Sequence, residues 1–181
     1  MSNRKREEVA LYYLYLMSDG RSLPEHKKLF DEICQKLGFS SNDQQKIIAV
    51  CKASSKSSSP YEVIEGNRLA EAATDGDYSS ELRAHIIWNL VNLGYPDLLV
   101  SANKKKVIDH LLSKWEIDPE IYTEMLDIAD TVEALRKQMN WAEKTLTPGG
   151  QKEAKLKSLG ENIERILSDV EITINELAAF E

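Results

Sequence analysis

The side chains able to do chemistry are few in this sequence. Cys34 and His26 are the one thiol and imidazole close enough in sequence to suggest a nucleophile and its base. They stand eight residues apart in a single helical pattern. At ~1.5 Å of rise per residue that separation is about 12 Å, beyond hydrogen-bond reach. Asp109 and His110 are neighbours on a helix and point to different sides of it. His26, His85 and His110 form no His-x-x-x-His pair, and Cys34 and Cys51 have no zinc-ribbon spacing. Both cysteines read as ordinary thiols in or near a core. There is no glycine-rich phosphate loop and no Gly-x-Ser-x-Gly elbow. The expectation is a protein that is not an enzyme. What remains is carboxylate, gathered at two turns: Asp19-Gly20, with Glu25 following, and Asp75-Gly76-Asp77, with Glu81 following. The second turn lacks the ligand rhythm and closing glutamate of an EF-hand loop, so it reads as a helix entry.

The elements that must position these groups are helices. Across 181 residues, 42% are hydrophobic, enough for one domain of ordinary size and too many for whole-chain disorder. Lys plus Arg total 23 against 30 Asp plus Glu, a net charge of −7, which argues against a nucleic-acid partner. No apolar run approaches the roughly 20 residues of a membrane helix, and the N-terminus carries no signal-peptide pattern. A cytoplasmic protein without membrane insertion is expected. Val9, Tyr12, Tyr13, Leu16 and Met17 recur at helical spacing, and Gly20 suits a left-handed cap. Ser22-Leu23-Pro24-Glu25 reads as a capping box opening a second helix that ends at Gly38. A third starts at Ser41. The serine-rich stretch from Ser54 to Pro60 is a linker, and Ser59-Pro60 opens a helix reaching about Ala73. Further helices are expected at Ser80–Leu93, from about Ser101 to Trp115, from Asp118-Pro119 toward Trp141, and from Gln151 to Phe180. Nothing alternates with period two, so the fold class is all-α. The Tyr12 and Trp88 helices, the most apolar, are expected at its centre.

The chain also repeats itself. Asp19 onward, with Leu29, Phe30, Ile33, Leu37 and Phe39, overlays Asp97 onward, with Val107, Ile108, Leu111, Trp115 and Ile117, at an offset of 78 residues. Each copy follows an apolar helix. A competing alignment at an offset of 56 places Asp75-Gly76 on Asp19-Gly20, and one recurring Asp-Gly turn before a helix would account for both. The apolar helix, Ser18-Asp19-Gly20, and the helix from Ser22-Leu23-Pro24-Glu25 to Lys36-Leu37-Gly38-Phe39 resemble the tellurite-resistance TerB family. The stretch from Ile86 to Asp97 resembles the start of that family's second half. The resemblance covers residues 6–141. It implies a TerB-like helical bundle of two related halves (residues 1–147), followed by a C-terminal amphipathic helix (148–181) that is not part of the family core.

The resemblance further implies a non-catalytic stress-response or scaffold protein that binds a divalent metal such as calcium or magnesium through clustered acids. The matching positions are Asp19, Glu25 and Asp97. Asp19 sits where the carbonyls of one helix end, which favours a cation, and carboxylates suit hard ions. Against this, Glu25 stands three residues after Ser22 and has a capping role open to it. The second half departs from the pattern, with Leu98 in place of the glycine, Asn103 in place of the glutamate, and Lys104-Lys105-Lys106 following. That basic run reads as a solvated face. The C-terminal helix has two readings. It folds back to complete the body, or its apolar stripe serves self-association or an unknown protein partner.

Overall fold

The structure is a computed structural model and describes residues 3–20, 24–54, 64, 68–75, 78–95 and 101–178. All regular structure among them is helical: α1 (Asn3–Leu16), α2 (Pro24–Lys36), α3 (Ser41–Ser54), α4 (Arg68–Asp75), α5 (Ser80–Gly94), α6 (Ala102–Trp115), α7 (Pro119–Thr145) and α8 (Gly150–Ala178). A 3₁₀ turn, Met17–Asp19, extends α1. No helix among the described residues is long and apolar enough to cross a membrane. The expected helix start at Ser59-Pro60 lies outside the described residues; of the span expected for that helix, α4 is the part described as helical.

Local chemistry explains the boundaries. Gly20 takes the left-handed conformation (φ 74°) and its N–H bonds Met17 O, closing α1. Gly38 does the same for α2 (φ 86°), with Gly38 N–H on Gln35 O and Phe39 N–H on Cys34 O, a Schellman arrangement. At the end of α6 the left-handed residue is Glu116 (φ 55°), and Ile117 N–H reaches Leu112 O. Helix starts are capped by short oxygens: Ser40 Oγ on Asp43 N, Ser101 Oγ on Lys104 N, and Asp118 Oδ1 on Glu120 N. Pro24 and Ala102, which begin α2 and α6, stand 78 residues apart, as do Ser41 and Pro119, which begin α3 and α7. The left-handed residues Gly38 and Glu116 keep the same interval.

Helix α1 is enclosed on nearly every side. Val9 to Tyr12 and Leu14 to Leu16 are buried, against α2, α3, α4, α5 and α6. Helix α5 contributes Ile86, Ile87, Leu90, Val91 and Leu93 to the same core. The two helices expected at the centre are therefore in contact there. Between them runs a buried polar chain. Asn89 Nδ2 donates to Tyr12 Oη (3.0 Å), which donates to Glu8 Oε1 (2.6 Å). Burial pushes the Glu8 carboxyl above its ordinary range, against the hydrogen bond from Tyr12 and the charges of Arg4, Lys5 and His85.

The last two helices form an antiparallel hairpin through Pro148-Gly149-Gly150. Its lower part belongs to the body: Met125 and Ala129 of α7, and Val170 and Ile174 of α8, join the main core, and α8 packs on both α7 and α5. Its distal part does not. From 133 on α7 to 166 on α8, no hydrophobic side chain joins that core, and Ala142 and Leu159 are buried in the hairpin's own seam.

Candidate functional site

Asp19 is brought to the first turn of α6. The 3₁₀ turn ends α1 with Asp19 pointing at the α6 N-terminus, where Ser101 is the N-cap residue. Ser101 Oγ lies 2.8 Å from both carboxylate oxygens and donates to them, while it accepts from Lys104 N–H. Lys104 Nζ stands 2.7 Å from Asp19 Oδ2. Asn103 Nδ2 donates to Ser18 O, so the same turn also grips the end of α1 through its backbone. Lys104 is 1% exposed and Asp19 25% exposed. Burial raises the Asp19 carboxyl, but hydrogen bonds from Lys104 and Ser101 and the Lys104 charge outweigh it, holding the group below its ordinary range.

This arrangement corrects the reading of the basic run. Lys105 and Lys106 are exposed, whereas Lys104 is buried. The signal was in the sequence. Lys104 lies in helical phase with Val107, Ile108, Leu111 and Leu112, all buried on the inner face of α6. A charged residue on an apolar stripe needs a partner, and Asp19 is that partner.

The geometry also bears on the cation that the resemblance implies. The end of α1 does attract positive charge, but the charge placed there is an ammonium. Both oxygens of Asp19 are taken by donors, and a divalent ion on them would meet Lys104 at close range. As arranged, these residues do not fit a divalent ion. The side chain of Glu25, and all of Asp97, lie outside the described residues. Elsewhere, among the described residues, no group of three or more His, Cys, Asp or Glu side chains is placed to hold a metal ion.

The thiols are poorly placed for chemistry. Burial, with the charges of Asp31 and Glu8, pushes Cys34 up to about 12, and burial pushes Cys51 up to about 11. Both are fully buried, so the nucleophilic thiolate is disfavoured at neutral pH.

A second feature was not legible in the sequence. Helices α2 and α7 both pack on α5 and leave between them a groove of about 650 Å³. Its floor is the end of α5, with Asn92 and Tyr95, and Tyr95 Oη donates to Asp130. Leu29 of α2 and Met139 of α7 supply apolar surface from the walls. The charges around it are mostly neutralised in place: Lys28 pairs with Glu32 at 3.8 Å, and Glu133 with Lys137 at 3.7 Å. Nothing in a single helix pattern encodes this groove, because it depends on how far apart two helices land on a third.

No family model, no curated protein and no solved structure matches this chain.

Proposed function

We propose that this chain is a non-enzymatic, TerB-like helical interaction protein of two related halves, which offers the distal α7–α8 hairpin to a protein partner and uses the Asp19 turn as an internal clamp. The recurrence of helix starts and of left-handed residues at 78-residue spacing supports the two related halves. The buried thiols count against a cysteine nucleophile.

The observation that carries the reading is the hairpin's reach beyond the core. Thirteen residues of α7 lie past Val132, about 20 Å of helix at ~1.5 Å per residue. Ordering such a segment costs conformational entropy, and here no hydrophobic side chain buried in the main core offsets it. Its surface includes Trp141, 58% exposed, on the outer side of the arm. The apolar stripe of α8 is largely consumed within the chain, since Leu159, Val170 and Ile174 are buried. The partner surface is therefore assigned to the outside of the hairpin and its flank against α2, rather than to the stripe itself.

Excision tests the reading. Replacing residues 137–160 by a short Gly-Ser turn removes the arm and leaves the seam's lower part. The shortened protein is expected to keep a cooperative thermal transition and the near-ultraviolet signature of its buried aromatics. Loss of cooperative melting would make the arm a structural part of the body and defeat the proposal.

A further inference from the structure

We infer that the groove between α2 and α7 receives one amphipathic helix of a protein partner, which carries an acidic and a basic residue seven positions apart on either side of an apolar patch. This rests on the interaction-protein reading and names the partner's chemistry.

Three observations carry it. The groove has the form of a bundle site lacking one helix, with α2 and α7 as walls and the end of α5 as floor. Its middle is apolar, where half-buried Leu29, Tyr95 and Met139 meet. Its charge is patterned. Arg136 and Glu143 both line it, and neither has an ion pair among the described residues, unlike the Lys28–Glu32 and Glu133–Lys137 pairs beside them. Arg136, Met139, Asn140 and Glu143 follow the i, i+3, i+4, i+7 rhythm of one helix face. The wall therefore presents a cation, an apolar centre and an anion over two helical turns, about 10 Å at ~1.5 Å per residue. A helix laid alongside is matched when it places a carboxylate against Arg136, apolar side chains against Met139 and Leu29, and a cation against Glu143. A free metal ion would not use the apolar centre, and neither a metal ion nor a nucleotide's phosphates would use both signs of charge.

The test uses the full chain and three alanine-rich helical peptides with the same leucine patch. One is flanked by Glu and Lys, one by two Glu and one by two Lys, at seven-residue spacing. Binding is followed by NMR shift changes at about 150 mM salt, so that long-range attraction from the net charge is screened. Wild type is expected to favour the Glu/Lys peptide by about threefold or more over the other two, with shifts centred on Leu29, Tyr95 and Met139. Arg136→Glu is expected to move the preference to the two-Lys peptide, and Glu143→Arg to the two-Glu peptide. Because each variant groove carries two like charges, this outcome holds whichever direction the peptide lies. Both positions are on the helix surface, so folding is retained. The same ranking for all three proteins, shifts centred elsewhere, or no binding would overturn the inference. If the arm-excised protein still melts cooperatively, such a result removes the groove and leaves the interaction-protein reading standing. If that protein unfolds, the broader reading falls on its own evidence.

Discussion

Asp19 and Lys104 are joined in a pair whose members are buried to very different extents, so removing one or the other should have unequal consequences. Asp19→Ala leaves an ammonium that is 1% exposed with no counter-charge. Stranding a buried charge costs about 3–5 kcal/mol. Lys104→Met keeps the apolar stem and leaves Asp19, a quarter exposed and still bonded by Ser101 at the N-terminus of α6. Water and the helix end both serve that carboxylate, and the expected cost is about 1–2 kcal/mol. The double variant Asp19→Ala/Lys104→Met strands nothing and should be more stable than Asp19→Ala alone, by about 2 kcal/mol. Urea titrations with a shared m-value measure all four proteins. The pair also sets an acid-side slope. The folded pKa of Asp19 is lowered, so its contribution is fully present above the unfolded value of about 4 and is lost as pH falls through the folded value. The slope contributed by this group should vanish in Asp19→Ala. Equal costs for the two single variants, or a double variant no better than Asp19→Ala, would refute the reasoning.

Four more outcomes follow from backbone and packing. Glu116 holds a left-handed conformation that costs an L-residue about 1–2 kcal/mol, so Glu116→Gly should stabilise by about 1 kcal/mol after the ~0.5–1 kcal/mol entropic cost of glycine. Gly38 keeps the same role at the end of α2, and a Cβ there would meet nothing within 4 Å, so Gly38→Ala should destabilise by about 1 kcal/mol through backbone strain alone. Differential scanning calorimetry reads both, as midpoints moving a few degrees in opposite directions. Tyr15 Oη is buried without a hydrogen-bond partner among the described residues, so Tyr15→Phe should be neutral or stabilising by about 1 kcal/mol in urea melts. A Cβ at Gly94 would stand 2.1 Å from that oxygen but 3.0 Å from the next ring atom. Gly94→Ala should therefore cost about 1–3 kcal/mol, much of it recovered in the Tyr15→Phe background.

Much of the scaffold was legible because it is written in local chemistry. Gly20, Gly38, Ser101 and Asp118-Pro119 mark helix ends through left-handed backbone and capping oxygens, both properties of single residues. Of the two readings open for the C-terminal helix, the fold-back against the body is the arrangement found, with Val170 and Ile174 in the core. Lys104 was readable in part. Its phase with Val107 and Leu111 marks it as inward-facing, but its identity as the partner of Asp19 depends on where α1 ends in space, 85 residues away in sequence. The Glu8–Tyr12–Asn89 chain is hidden for the same reason: Tyr12 and Asn89 are 77 residues apart. The groove was the least legible, since Leu29, Tyr95 and Met139 are unremarkable on their own helices and meet only through the spacing of α2 and α7 on α5.

The central claim is that the charge attracted to the end of α1 is supplied by the chain itself, through Lys104. Calorimetric titration of calcium and magnesium into the full-length protein at neutral pH tests it most directly, with Asp19→Asn as the reference. The account predicts no saturable heat from either protein. Saturable heat in wild type that disappears in Asp19→Asn would contradict it and return the turn to the role of a divalent-cation site.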